Sequence, residues 1–342
     1  MPTTRQRFRA VVSGLGVATI VGLAPAAASA ADSVDGDVVV HQVAASAQEQ
    51  QAIRDYWTPE RIAAMPTGPV PEQPQPPVDG PDGAGWSGGG AIDRTVGRLF
   101  FTERGEDASC TATIVRSANR SVAVTAGHCV HGFDLLGQDP QWTTNLYFVP
   151  GFRDGAMPFG GFVPRLAIAD RSWVDDDQQI VYDQAFLVLN PAPDGRAAAD
   201  VVGASQDIAF DLPGDREVAE FGYPRAANQP GHQGRPEFTG QRLAWCWGIA
   251  RENPGTPSWP VPKGQFGVAC DMGGGSSGGP RIAGFDGDTG AVAGVNTRSW
   301  YLDDAGKGCE LDSDLSQCTR NLGGPQFTPA ITLPLYERAQ HA

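Results

Sequence analysis

The sequence predicts an all-β fold of two packed β units closed by a short C-terminal helix, and three features carry that prediction. From about residue 95 the 342-residue chain becomes a series of short apolar runs rich in β-branched and aromatic residues. Gly, Pro, Asn and Asp separate the runs, as turns require. Only one late stretch, "PLYERAQ", has helical character. The predicted strands are, in order, "TATIV" (111–115), "SVAVT" (121–125), "NLYFV" (145–149), "RLAIA" (165–169), "QAFLVL" (184–189), "EVAEFGY" (217–223), "QRLAWCW" (241–247), "QFGVAC" (265–270) and "GAVAGVN" (290–296). "FDGDTG" (285–290) before the last of these is a hairpin turn signal. The sequence contains no internal repeat.

The chain before these strands has a different texture. Arg5, Arg7 and Arg9 precede an apolar run from Ala10 to Leu23 and the small residues Ala26 to Ala30. Charge, apolar core and A-x-A site in that order predict a signal peptide, 1–30, and a secreted product. The run is too short for the roughly 20 residues of a spanning helix. Residues 31–92 read as a pro-segment and linker. They carry a helix-like piece, "QEQQAIRDYWTPERIAAM", limited by Pro59, and then "PTGPVPEQPQPPVDGP" and "GAGWSGGG". Proline-rich sequence favours extended polyproline geometry and builds no core. Residues 93–342 are left as the folded domain, its two β units spanning about 93–205 and 206–330.

The formal charge is −14, and losing a leader with three arginines and no acid makes the exported chain more negative still. Such a surface repels phosphate backbones and anionic lipid heads, which argues against nucleic-acid or membrane partners. Six cysteines, an even number, in an exported chain predict disulfides rather than thiols or metal ligands. Spacing alone does not fix their pairing. Cys309 and Cys318 make the simplest local loop. The sequence is silent on oligomeric state, and the sequon at Asn119 matters only in a eukaryotic secretory route.

Two short motifs and one looser one carry chemistry. "TAGHC" (125–129) ends a predicted strand with His128. "CDMGGGSSGGP" (270–280) holds Ser277 among glycines, which let successive backbone N–H groups converge on one point. Asp183 opens the apolar run 184–189. A serine hydroxyl needs a base to become a nucleophile, and the imidazole base needs a carboxylate to fix its tautomer. Neighbouring His131 reads as a solvated loop residue. A zinc set of Cys110, His128, Cys129 and His131 is conceivable by residue type but conflicts with export and with the serine motif. "GSSGG" also fits the nucleophile elbow of lipases, yet that fold places its histidine after the serine, where only His341 stands.

Together these motifs resemble the chymotrypsin-like (trypsin-like) serine peptidases, in their bacterial secreted branch. "TAGHC" and "GSSGGP" match the family's histidine and serine motifs over about 95–335. The resemblance implies two six-stranded antiparallel β-barrels with the active site in the cleft between them. It implies His128 as general base, Asp183 as its orienter, Ser277 as nucleophile, and Gly275 and Ser277 N–H as the oxyanion hole. It also implies Cys110–Cys129 and Cys246–Cys270 bridges, protein or peptide substrates, and no cofactor or metal.

The sequence departs from the family at three places. Ser276 stands where animal members carry an aspartate that binds a new N-terminus, so activation by that ion pair is not expected. Asp271 lies where trypsin-like enzymes hold the aspartate that selects basic side chains, but Cys270 disturbs that register. The glutamyl-specific branch is the rival, and Asn296 stands where it places a histidine, which counts against glutamate specificity. Thr297 is expected to line the pocket in either case. A protease-like domain retained only for binding is the non-enzymatic alternative.

Overall fold

The apolar runs find their partners as antiparallel ladders. In the computed structural model, described over residues 32–65, 80–134, 137–177, 179–225, 235 and 238–342, six strands of the first unit lie side by side. Their spatial order is Thr144–Pro150, Val96–Glu103, Glu106–Val115, Val122–Thr125, Ala185–Leu189 and Pro164–Asp170. Strand Val96–Glu103 was not among the predicted runs. Its neighbours bury it on both faces, including Arg98, which is 1% exposed.

The second unit divides its strands between two sheets. Asp207–Ile208, Ala291–Val295, Pro280–Ala283, Glu217–Gly222, Ala244–Ile249 and Ala84–Gly85 form one. Arg251–Glu252, Gln265–Ala269, Thr319–Pro325 and Arg298–Leu302 form the other, with the last at its edge. Among the described residues every ladder is antiparallel except the short pairing of Asp207–Ile208 with Ala291–Val295. Inward-facing Val218, Ala244, Cys246, Val268, Cys270, Ala283 and Leu322 make the core of this unit. Three disulfides are present: Cys110–Cys129, Cys246–Cys270 and Cys309–Cys318. Helix Thr332–Gln340 returns to the first unit, where the Tyr336 hydroxyl donates to Arg116 O and Thr332 Oγ1 donates to Gln184 Oε1.

Residues 32–65 hold the largest departure from the sequence reading. The run "VVVHQ" forms strand Val38–Gln42, which pairs with Pro164–Asp170 over five residues. With Ser33–Asp35 it widens the first sheet from six strands to eight. The helix-like piece becomes two helices, Ala47–Tyr56 and Pro59–Ala63. Ser46 and Glu49 form a capping box on the first, and Thr58 caps the second with Pro59 at its opening position. Ile53, Trp57, Ile62 and Met65 enter the main core. Trp57 Nε1 donates to Asn145 O at 2.6 Å, and Arg61 and the Tyr56 hydroxyl both bond Asp107. The Pro-rich stretch 66–79 lies outside the described residues, as does the predicted leader.

Trp57 supplies the test of this packing. Trp57→Ala removes a buried indole and its hydrogen bond, and the expected cost is about 3–5 kcal/mol of stability. Denaturant unfolding of the uncut chain, carrying Ser277→Ala to prevent self-cleavage, reads it. A loss under about 1 kcal/mol would mean that the segment rests on the sheet without supporting it.

Candidate active site

Strand Val122–Thr125 runs into a short 3-10 turn, Gly127–Cys129, which presents His128. Trp173 lies where a Cβ on Gly127 would stand, which requires glycine there. Asp183 follows another such turn, Ile180–Tyr182, and stands two residues before the start of strand Ala185–Leu189. That strand pairs with Val122–Thr125, so its head lies beside the histidine turn. Asp183 is 1% exposed and accepts from the His128 backbone N–H at 2.9 Å. His128 Nδ1 lies 2.9 Å and 3.1 Å from its two carboxylate oxygens. The His128 side chain is 32% exposed, so one edge of its ring faces solvent.

The two groups shape each other's ionisation. Burial opposes charge on His128, but the Asp183 carboxylate outweighs it and raises the pKa above the ordinary 6.5. Burial likewise pushes Asp183 up, and the imidazole, its hydrogen bond and the Arg298 guanidinium pull it below the usual value.

Ser277 belongs to the second unit and is fastened to the first by its own backbone. Ser277 O accepts from Thr111 N–H at 2.7 Å, and Thr111 Oγ1 donates to Gly275 O at 2.8 Å and accepts from Tyr223 N–H at 3.0 Å. Gly278 presses against the histidine strand, where a Cβ would lie 2.1 Å from Thr125 Oγ1 and 2.3 Å from Thr111 O. Gly275 and Gly278 have φ of +98° and +78°, a region that side-chain-bearing residues rarely adopt. Among the described residues no backbone carbonyl takes the N–H of Gly275 or Ser277. Ser276, 1% exposed, turns its hydroxyl inward to Gly273 O and packs against Gly222.

The remaining predicted residues fall less neatly. Asp271 does not stand as an open carboxylate, because Arg235 Nε and Nη2 bond it at 3.1 Å and 3.0 Å. Its backbone N–H donates to Asp82 O. Thr297 is 9% exposed, donates its N–H to Gly323 O, and has a buried hydroxyl without a hydrogen-bond partner. Asn296 is fully buried and donates Nδ2 to Phe221 O. His131 corrects the sequence reading. It is 3% exposed, packed edge-on against Phe133 and Trp142, and burial lowers its pKa to about 4. Cys110, His128 and Cys129 lie together, but the thiolates a zinc set needs are consumed in the Cys110–Cys129 bridge.

Sequence reasoning passed over Thr111, Arg298 and Arg320. Thr111 lay inside a predicted strand with nothing to mark its hydroxyl as a junction. Thr111→Val keeps the shape but strands Gly275 O and Tyr223 N–H. The expected cost is about 1–3 kcal/mol, with a larger fall in kcat than rise in KM, because the serine loop loses its anchor. Steady-state kinetics beside thermal unfolding check this, and unchanged kcat would remove Thr111 from the site.

No family model and no curated protein sequence matches the chain. Solved structures do. Protease Anisep from Arthrobacter nicotinovorans is 29% identical, with 74% of this chain and 98% of that chain covered at a TM-score of 0.58. The thermostable serine protease AL20 from an extremophilic microorganism is 28% identical, with 74% and 99% covered and a TM-score of 0.58. A Glu endopeptidase, 16% identical over 78% of this chain and 99% of its own, shares the fold at a TM-score of 0.53. The chain has the fold of these chymotrypsin-like bacterial serine proteases and is similar to them, which makes it a peptide-bond hydrolase.

Proposed function

We propose that the chain is a secreted serine endopeptidase that cleaves proteins or peptides through an acyl-enzyme on Ser277. The observation that carries this reading is the buried Asp183 carboxylate bonded to both His128 N–H and His128 Nδ1. A carboxylate there makes Nδ1 the protonated nitrogen, so Nε2 keeps its lone pair for the serine hydroxyl. Glycines on both sides of Ser277 leave room for a substrate carbonyl to approach.

The steps follow from those roles. Ser277 Oγ attacks the carbonyl carbon while His128 Nε2 takes its proton. The resulting oxyanion accepts hydrogen bonds from the N–H groups of Gly275 and Ser277. The imidazolium, stabilised by Asp183, gives the proton to the leaving amine as the C–N bond breaks. Water then attacks the ester by the same route in reverse, and Ser277 regains its proton. Ser276 cannot receive a new N-terminal amine as a carboxylate would, so activation by an N-terminal ion pair has no acceptor at that position. Residues 1–30 are read as the leader removed on export. Changing the residue at the processed N-terminus should leave activity nearly intact.

Ser277→Ala should abolish peptide hydrolysis and labelling by a serine-directed fluorophosphonate, while wild type takes up one label per chain. Asp183→Asn should lower kcat by about 10⁴-fold through the wrong histidine tautomer. Because neutral His128 is the base and its pKa is raised, kcat/KM should climb through a pH above 6.5. In Asp183→Asn the residual limb should shift to lower pH. Wild type that takes no label would instead support a binding module.

A further inference from the structure

The segment leading to Ser277 and the strand after Thr297 are joined from beneath by one buried cation. Arg320, in strand Thr319–Pro325, is 2% exposed. Its Nη1 donates to Cys270 O and to Met272 O, each at 2.7 Å, and its Nη2 donates to Ser299 Oγ. Cys270 and Met272 belong to the run that ends at Ser277. Ser299 lies on the edge strand Arg298–Leu302, which follows directly on Thr297. The two walls are registered by Gly278 N–H to Asn296 O at 2.7 Å and Asn296 N–H to Gly279 O at 2.8 Å. The guanidinium therefore ties residues 270–272 to residue 299.

A peptide acylating Ser277 and lying along residues 298–300, short of the 301–302 end that residues 308–309 already cover, would direct one side chain between the two segments that Arg320 joins. Two guanidinium groups stand there, Arg320 with Tyr301 and Asp271 acting on it and Arg298 with Asp183 and Asp177. Arg320 Nε is buried with no hydrogen-bond partner, and so is the Thr297 hydroxyl. Arg298, mostly buried, adds a second guanidinium close enough to act on Asp183 and His128. The neighbouring carboxylate, Asp271, is shared with Arg235. A lysine or arginine side chain would bring another cation against Arg320. A carboxylate would gain charge-assisted bonds to a cation whose desolvation is already met by the fold.

We propose that Arg320, with Ser299 held by it, selects an acidic side chain on the residue whose carbonyl is attacked, so that the chain cuts after glutamate or aspartate. This rests on the reading of Ser277 as nucleophile. The assignment does not need a histidine at Asn296, because the charge comes from the opposite strand.

The experiment compares peptides that differ only at the residue before the cut: Glu, Asp, Gln, Leu and Lys. Wild type should favour Glu or Asp over Gln by about 100-fold or more in kcat/KM, since a site built to hold a charged group rejects its uncharged analogue strongly. Arg320→Gln should bring the Glu-to-Gln ratio towards one. Ser299→Ala, which leaves the buried charge in place, should lower the same ratio by about 10-fold. Wild type that prefers Lys or Leu overturns the proposal, as does an acidic preference that survives Arg320→Gln in folded enzyme. Fluorophosphonate labelling separates the two failures. Labelled enzyme with another preference removes only the role of Arg320, whereas unlabelled enzyme removes the nucleophile and this proposal together.

Discussion

The site depends on one crossing of backbone over backbone, where Gly278 meets Thr111 and Thr125. The two β units contribute different members of the proposed triad. Their separation is set by a glycine with no room for a Cβ and by the Thr111 N–H to Ser277 O bond. Thr111 is the residue next to Cys110, and Cys110 is bridged to Cys129, which is next to His128. The serine backbone is thus fixed to a strand that the disulfide ties to the histidine turn. A misplacement of about 1 Å between such groups can cost about 10²-fold in rate, so this junction sets the working precision of the cleft.

The second constraint is the treatment of charge inside the fold. Asp183, Arg98, Arg281 and Arg320 are all nearly inaccessible, and burial of a lone charge is expensive. Asp183 is compensated by an imidazole and a backbone N–H. Arg281 is met by the carbonyls of Phe266, Gly324 and Pro325 and by Gln326 Oε1, beside Glu220. Glu220, packed in the same interior, has its pKa pushed up to about 8 by burial, despite the attraction of Arg281. Arg320 uses carbonyl dipoles in the same way as Arg281. Carbonyls orient a guanidinium without carrying a full opposite charge, and Asp271 and Tyr301 act on Arg320 beside them.

What the sequence made legible was the chemistry carried by contiguous residues. "TAGHC" and "GSSGGP" contain their own turns and glycines, so His128 and Ser277 could be singled out without a fold. Asp183 was singled out among nearby aspartates because it leads directly into a buried-looking strand, as the resembled family's pattern asks. Properties that depend on distant partners were not readable. His131 looked solvated because Phe133, Trp142 and Trp173 close over it only after folding. Asp271 looked like a specificity residue because Arg235, far along the chain, was not part of any motif. "VVVHQ" sat in a region judged by its proline-rich neighbour, yet three consecutive valines are a strand signal whenever an edge is free to accept them. Residues 164–170 offer that edge.

The acidic surface and the buried Arg320 guanidinium act at different distances, and the difference matters for selection. A chain with a formal charge of −14 repels acidic peptides as they approach. At physiological ionic strength that repulsion decays over about 8 Å. Inside the cleft screening is weak, and the guanidinium of Arg320 is held by Cys270 O and Met272 O, with no side-chain freedom left to lose on binding. Under the proposed role of Arg320, encounter is slowed for acidic substrates while discrimination is concentrated in the bound state. Salt should relieve the first effect more than it weakens the second, so the selection proposed for Arg320 should survive rising ionic strength largely intact.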